Sequence, residues 1–302
     1  MRAIVRSAVL QFWMLSWAML LAYQGQSQMY QNPQPLMYDR GFDQNNPPPG
    51  TKHIVMSRYI PGARFPKDYD VVVEAYDYDR SGNLTTVKRF QNITGELELE
   101  MNYSWTPDGN VLQERMFVAN DGGEIIRNYV WEKDANGKCI KAVVNDKSGK
   151  SVANVENLPD GTMLVTENLP GGKYIRSTIG KDRRLMKSEN SATGQTEAYT
   201  YYPDGTVREM VITSSKGIAT VKYENTTDEK GRVIKQTEQG KTSPRTYYFS
   251  YDDQGNMVDR GSVPNRPREA RGYDARQRLT DVLTYEASGF PEEVLNISYE
   301  FW

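Results

Sequence analysis

The chain has 302 residues, with 37 Lys and Arg against 39 Asp and Glu, for a formal net charge of −2. That balance excludes a protein drawn by global electrostatics to nucleic acid or anionic lipid. Hydrophobic residues make up 38% and the mean hydropathy is −0.70, so deep-core residues are scarce and an elongated sheet suits the chain better than a compact globule.

Residues 1–27 read as a signal peptide. Arg2 and Arg6 give a positive start, Ser7 to Ala22 is mostly apolar, and Gly25-Gln26-Ser27 offers small residues for cleavage before Gln28. Cleavage would leave no membrane-spanning segment, and 35 basic against 39 acidic residues. Residues 28–51, with Pro47-Pro48-Pro49-Gly50 near their end, have the Pro, Asn and Gln content of a disordered arm. Export makes the periplasm, the cell surface or the extracellular space the expected location.

From residue 52 to 302 one motif recurs. Gly82, Gly109, Gly137, Gly161, Arg183, Gly205, Gly231, Gly255 and Gln277 lie 22 to 28 residues apart. Two positions after these anchors come Leu84, Val111, Cys139, Met163, Leu185, Val207, Val233, Met257 and Leu279, all apolar, and the residue between is polar every time. A period of this length marks a repeat array. Three anchors follow Pro-Asp, as in Pro203-Asp204-Gly205. Five others have an Asp three positions earlier, at 79, 134, 228, 252 and 274. Both forms suit a type I turn closed by a left-handed residue, so each anchor is predicted to be a hairpin tip. Arg183 and Gln277 replace Gly where φ should be positive, which predicts strain or a different turn.

A second set of Gly breaks falls midway between tips: Gly95, Gly122, Gly149, Gly171, Gly194, Gly217, Gly240 and Gly289. Two turns per period leave strands of about 6 to 9 residues. The segments between carry strand composition, and Glu96 to Met101 alternates acidic and apolar residues. An isolated hairpin is marginal in water, so the units should pair edge to edge and bury the residue after each tip in a shared stripe. The expected fold is all-β: about nine antiparallel hairpin repeats in a twisted, spiralling sheet, with tyrosines half buried and their hydroxyls wet.

Candidate chemistry is sparse. The single histidine, His53, rules out a His pair for metal and a convincing Ser-His-Asp arrangement, and it reads as an exposed or edge-strand residue. Cys139, the single cysteine, cannot form an intramolecular disulfide and falls in the apolar slot, which predicts buried filler. Asp77 to Asn83 resembles the opening of a calcium loop, but position twelve is Lys88 rather than Glu. Glu96, Glu98 and Glu100 read as a solvated strand face rather than a hydrolytic pair. Arg260, Arg266, Arg268, Arg271, Arg276 and Arg278 cluster late, with an anion or polysaccharide contact as the alternative to a solvated loop. An outer-membrane barrel fits poorly, because strands such as Arg232 to Glu238 put charge on both faces.

The stretches Tyr251-Asp252-Asp253-Gln254-Gly255-Asn256-Met257 and Tyr273-Asp274-Ala275-Arg276-Gln277-Arg278-Leu279 resemble the YD-repeat, or RHS-repeat, family, and Tyr76 to Leu84 follows closely. Tyr201 to Thr206 looks like the related MORN-type variant repeats. The resemblance implies a spiralling sheet of hairpins, of the kind used in bacterial surface proteins, toxin shells and teneurin-like adhesion proteins that bind carbohydrate or protein. The array is short for a closed shell, and the expectation is that no toxin domain follows it. The expectation is an exported, non-enzymatic scaffold at the bacterial envelope that binds protein or glycan. It takes no cofactor or metal and no nucleic acid, and its contact residues are not fixed by the sequence. The alternative is an accessory component of a polymorphic toxin or immunity system.

Overall fold

A computed structural model describes residues 44, 46–61, 71–91, 94–119, 123–147, 149–240 and 243–302. The segments expected to be a signal peptide (1–27) and, for the most part, a disordered arm (28–51) lie outside the described residues. Twenty strands follow in chain order: Thr51–Tyr59 (β1), Val71–Tyr78 (β2), Leu84–Phe90 (β3), Leu97–Trp105 (β4), Val111–Val118 (β5), Gly123–Lys133 (β6) and Cys139–Asp146 (β7). Next come Gly149–Asn157 (β8), Met163–Leu169 (β9), Lys173–Ile179 (β10), Leu185–Asn190 (β11), Gln195–Tyr201 (β12), Val207–Ser214 (β13) and Gly217–Thr227 (β14). The last are Val233–Gln239 (β15), Arg245–Tyr251 (β16), Met257–Gly261 (β17), Glu269–Tyr273 (β18), Leu279–Tyr285 (β19) and Pro291–Phe301 (β20). The only helical element among the described residues is a single 3₁₀ turn at Pro170–Gly172, so the described residues form an all-β, antiparallel fold.

The chain divides into two compact units. Of the described residues, those within 104–114 and 126–221 belong to unit 1, and those within 44–103, 115–125 and 222–302 to unit 2. Within unit 1, β6 to β13 pair in chain order. Within unit 2, β14 to β20 pair in order, β20 pairs with β1, and β1 to β4 continue. This corrects the expected spiral of about nine hairpins. The strands belong to one 20-stranded sheet, and within unit 2 β1 is paired on both sides, with β2 and with β20, so it is not the free edge that a spiral would leave.

The tips form as the turn chemistry dictates. At the Gly255 tip, Asp252 N–H donates to Asn256 O at 3.0 Å and Gly255 N–H to Asp252 O at 3.1 Å. The same pair of bonds recurs at all nine tips at 2.8 to 3.1 Å. Arg183 and Gln277 keep this geometry with φ of 65° and 63°, a conformation that disfavours a side chain. The turn is therefore conserved and the backbone absorbs the strain. The tip Asp explains the polar position: Asp252 Oδ1 accepts from Asn256 N–H at 2.8 Å and its Oδ2 from Asn256 Nδ2 at 2.8 Å. At the Gly231 tip, Asp228 is served the same way by Arg232.

All nine slot residues open an odd-numbered strand, β3 to β19. A β-bulge follows: Met257 faces Tyr251 and Asp259 faces Ser250, which leaves Val258 unpaired. The same bulge occurs at the starts of β3, β7, β11, β13, β15 and β19. Two residues then oppose one, and the slot and the residue three further on share a face, as with Leu84 and Val87 or Leu279 and Val282. Eight slots are buried, from Val111 at 0% to Leu84 at 7% exposed. Met163 is only half buried, and its hairpin has no bulge.

Two junctions repeat this geometry outside the predicted nine. Gly289, read as a midway break, closes a tip-type turn, with Glu286 N–H donating to Phe290 O and Gly289 N–H to Glu286 O, both at 2.9 Å, and a bulge after it. Where β20 meets β1, Trp302 N–H donates to Gly50 O at 3.1 Å, Thr51 faces Phe301, and Lys52 is the bulged residue. Thr51 therefore fills the slot and is 2% exposed.

The tyrosine hydroxyls are not wet as expected. Tyr201, Tyr251, Tyr273 and Tyr299 donate to the carbonyls of Leu185, Val233, Met257 and Leu279, the slot residues of the preceding hairpins, at 2.5, 2.8, 3.0 and 2.9 Å. Trp131 Nε1 does the same to Val111 O at 2.6 Å. Each latch fixes one hairpin to the next at tip level.

Candidate functional site

The strands around β1 bring together a row of half-buried and exposed polar side chains in unit 2. Cross-strand register places Glu300 (β20), His53 (β1), Asp77 (β2), Thr86 (β3) and Asn102 (β4) directly opposite one another in turn. Side chains alternate along a strand, so with Ile54, Tyr76 and Val87 on the buried face these five residues share the other.

His53 Nδ1 lies 2.6 Å from Asp77 Oδ1, with the two side chains 31% and 42% exposed. A carboxylate only accepts, so this contact puts an imidazole proton on Nδ1, and in the neutral ring Nε2 is then the acceptor. Lys52 Nζ donates to Glu300 Oε1 at 2.5 Å. That hydrogen bond first, and then the charge of Lys52, hold the Glu300 carboxyl below the usual range. Thr86 Oγ1 donates to Asn102 Oδ1 at 3.2 Å, and Asn102 Nδ2 to Glu100 Oε1 at 2.9 Å. Trp302, 55% exposed, closes the tip end of the row, with Lys52 and Arg80 at 5.7 and 5.3 Å from its ring centre.

The opposite face of the same strands carries ion pairs. Arg260, Glu269, Thr284 and Glu293 follow one another across β17 to β20. Arg58 lies 2.7 Å from Glu293, Arg89 lies 3.4 Å from Glu74, and Arg271 lies 2.8 Å from Glu269. Glu269 also holds Arg260. These carboxylates are already committed to arginines, which makes the pairs part of the packing of that face.

The remaining sequence candidates fall elsewhere. His53 is not on an edge, because β1 is paired on both sides. Cys139 is 2% exposed in its slot, and desolvation raises its thiol pKa, so it is no nucleophile. In the calcium-like loop Asp79 Oδ1 accepts from Ser81 and Asn83 N–H at 2.8 and 2.9 Å, while Asp77 turns to His53. Glu96 and Glu98 are exposed and Glu100 half buried, with Leu99 and Met101 buried opposite. The late arginines form no single patch. Arg260 and Arg271 share Glu269, Arg278 pairs with Asp274, Arg266 donates to Ala287 O, and Arg276 is exposed. Sequence reasoning missed the His53 row. Its one trace was the 24-residue separation of His53 and Asp77, which is a single repeat period.

No family model matches the chain, and no curated protein does. Among solved structures it is similar to a chain of the TcdB2-TccC3-Cdc42 crystal structure, at 12% identity and TM-score 0.37, covering 80% of this chain and 14% of that one. The chain therefore spans about a seventh of that much longer relative. Porin-like proteins from Bacteroides uniformis and Bacteroides vulgatus match at 12% and 9% identity with TM-scores of 0.27 and 0.32, covering 84% and 83% of this chain and 99% of each of theirs.

Proposed function

We propose that the protein is an exported, non-enzymatic repeat scaffold of the bacterial cell envelope that binds glycan or protein through the outward row on β20 and β1 to β4. The observation that carries this reading is the register itself: five neighbouring strands each present one hydrogen-bonding side chain at the same level. Carboxylate, imidazole, hydroxyl and amide together offer both donors and acceptors, which suits the paired hydroxyls of a sugar better than an apolar partner. Among the described residues no hydroxyl or thiol is hydrogen-bonded to the His53 ring, so a binding role fits better than nucleophilic catalysis. Glycan-array binding and envelope pull-down with the wild type and an Asp77→Ala variant test the reading. Binding lost in the variant supports it, and a blank result in both assays with the wild type overturns it.

A further inference from the structure

Unit 1 contains a carboxyl group that the row above does not use. Glu167 sits within β9 at 3% exposure, between register neighbours Ala153 on β8 and Ile175 on β10, which are 1% and 4% exposed. Its Oε2 is buried without a hydrogen-bond partner. Glu114, the other buried carboxylate of unit 1, is instead met by Arg127 Nη1 at 2.8 Å and Tyr129 OH at 2.9 Å. On the Glu167 face β9 adds Met163, Val165 and Leu169, and β8 adds Ser151, Ala153 and Val155. On that face β10 adds Ile175, Ser177 and Ile179, and its single charged residue there is Lys173, exposed at the strand start opposite Leu169. An ionised carboxylate in such a setting lacks both solvent and a counter-charge.

We propose that Glu167 is a proton-binding switch in unit 1: β8 to β10 are held most tightly when its carboxyl is protonated, and they open more readily as the pH rises toward neutrality. Desolvation raises its pKa from 4.5 to about 7, in keeping with that geometry. The folded value lies above the unfolded one, so the stabilising contribution is complete below 4.5 and is lost as pH rises to about 7. Above that, both states are ionised and the dependence ends.

Native-state hydrogen exchange on the full chain, corrected for intrinsic rates, tests this directly. Protection of β8 to β10 amides should fall roughly tenfold per pH unit between about pH 5 and pH 7 and then level off, because opening releases one proton. In Glu167→Gln, which mimics the protonated form, the same amides should show no such slope. A parallel ¹³C titration of the wild-type Glu167 carboxyl should have its midpoint near neutrality, and it decides the matter even if the variant does not fold. A midpoint in the ordinary carboxylate range, or equal slopes in the two proteins, overturns the proposal.

Discussion

Units 1 and 2 use one repeat and fill its buried face differently. In unit 2 charges come in a shared network, with Glu269 serving both Arg260 and Arg271. In unit 1 the pair Glu114 and Arg127, with side chains 2% and 8% exposed, stands apart from the lone Glu167. The repeat thus specifies tip, slot and bulge, and leaves the middle of each strand free to vary. Polar burial is safe where partners are redundant and vulnerable where they are single.

The largest expected effect follows from that contrast. Arg127→Met removes the buried counter-charge of Glu114, leaving it the Tyr129 hydroxyl as donor, and should lower unfolding stability by about 3–5 kcal/mol. Arg271→Met leaves Glu269 still paired with Arg260, so its loss should be less than half as large. Equal losses in denaturant titrations of the two variants would remove the distinction between the units. Next come the slots. Leu185→Ala, at a position 2% exposed, should cost about 2–5 kcal/mol, and Met163→Ala, at the unbulged and half-buried slot, clearly less. Tyr251→Phe removes one latch while keeping the ring, and should cost about 1 kcal/mol.

The smallest effect is electrostatic and acidic. Side-chain hydrogen bonds from Asn256 to Asp252 and from Arg278 to Asp274 head the causes that depress these tip carboxyl groups. Folded values below the unfolded ones give stability that is present above the unfolded pKa and lost as pH falls through the folded one. Melting curves below about pH 4 should therefore show a shallower acid decline in Asp252→Asn than in the wild type. An unchanged decline would show that these hydrogen bonds do not favour the ionised form. The pH dependence of Glu167 has the opposite sign, so the two regions separate in a single pH series.

The parts legible in the sequence were those set by neighbours along the chain. Tip residues, the slot and the strand alternation at Glu96 to Met101 follow from local turn and period rules, and Cys139 could be placed because eight equivalents stand beside it. Gly289 was misplaced because its turn has Glu286 where five of the nine tips carry Asp, and Pro291 where all nine carry a larger apolar or thiol slot residue. The tyrosine hydroxyls were misjudged because their acceptors lie 16 to 20 residues away on another hairpin. The closure of β1 on β20, bridged by Lys52 and Glu300 at a separation of 248 residues, has no local signature. Since His53 becomes central only through that closure, the candidate site was hidden by the same gap.

Joining of the first strand to the last brings Glu300, His53 and Asp77 together, and a cross-link reads it most directly. Val55 and Ser298 are register partners. A Val55→Cys, Ser298→Cys protein, with Cys139→Val to remove the native thiol, should oxidise readily to an intramolecular disulfide, whereas Val55→Cys with Glu293→Cys should not. Failure of the 55–298 pair to close, or equal closure of the mismatched pair, would contradict the arrangement on which the binding row depends.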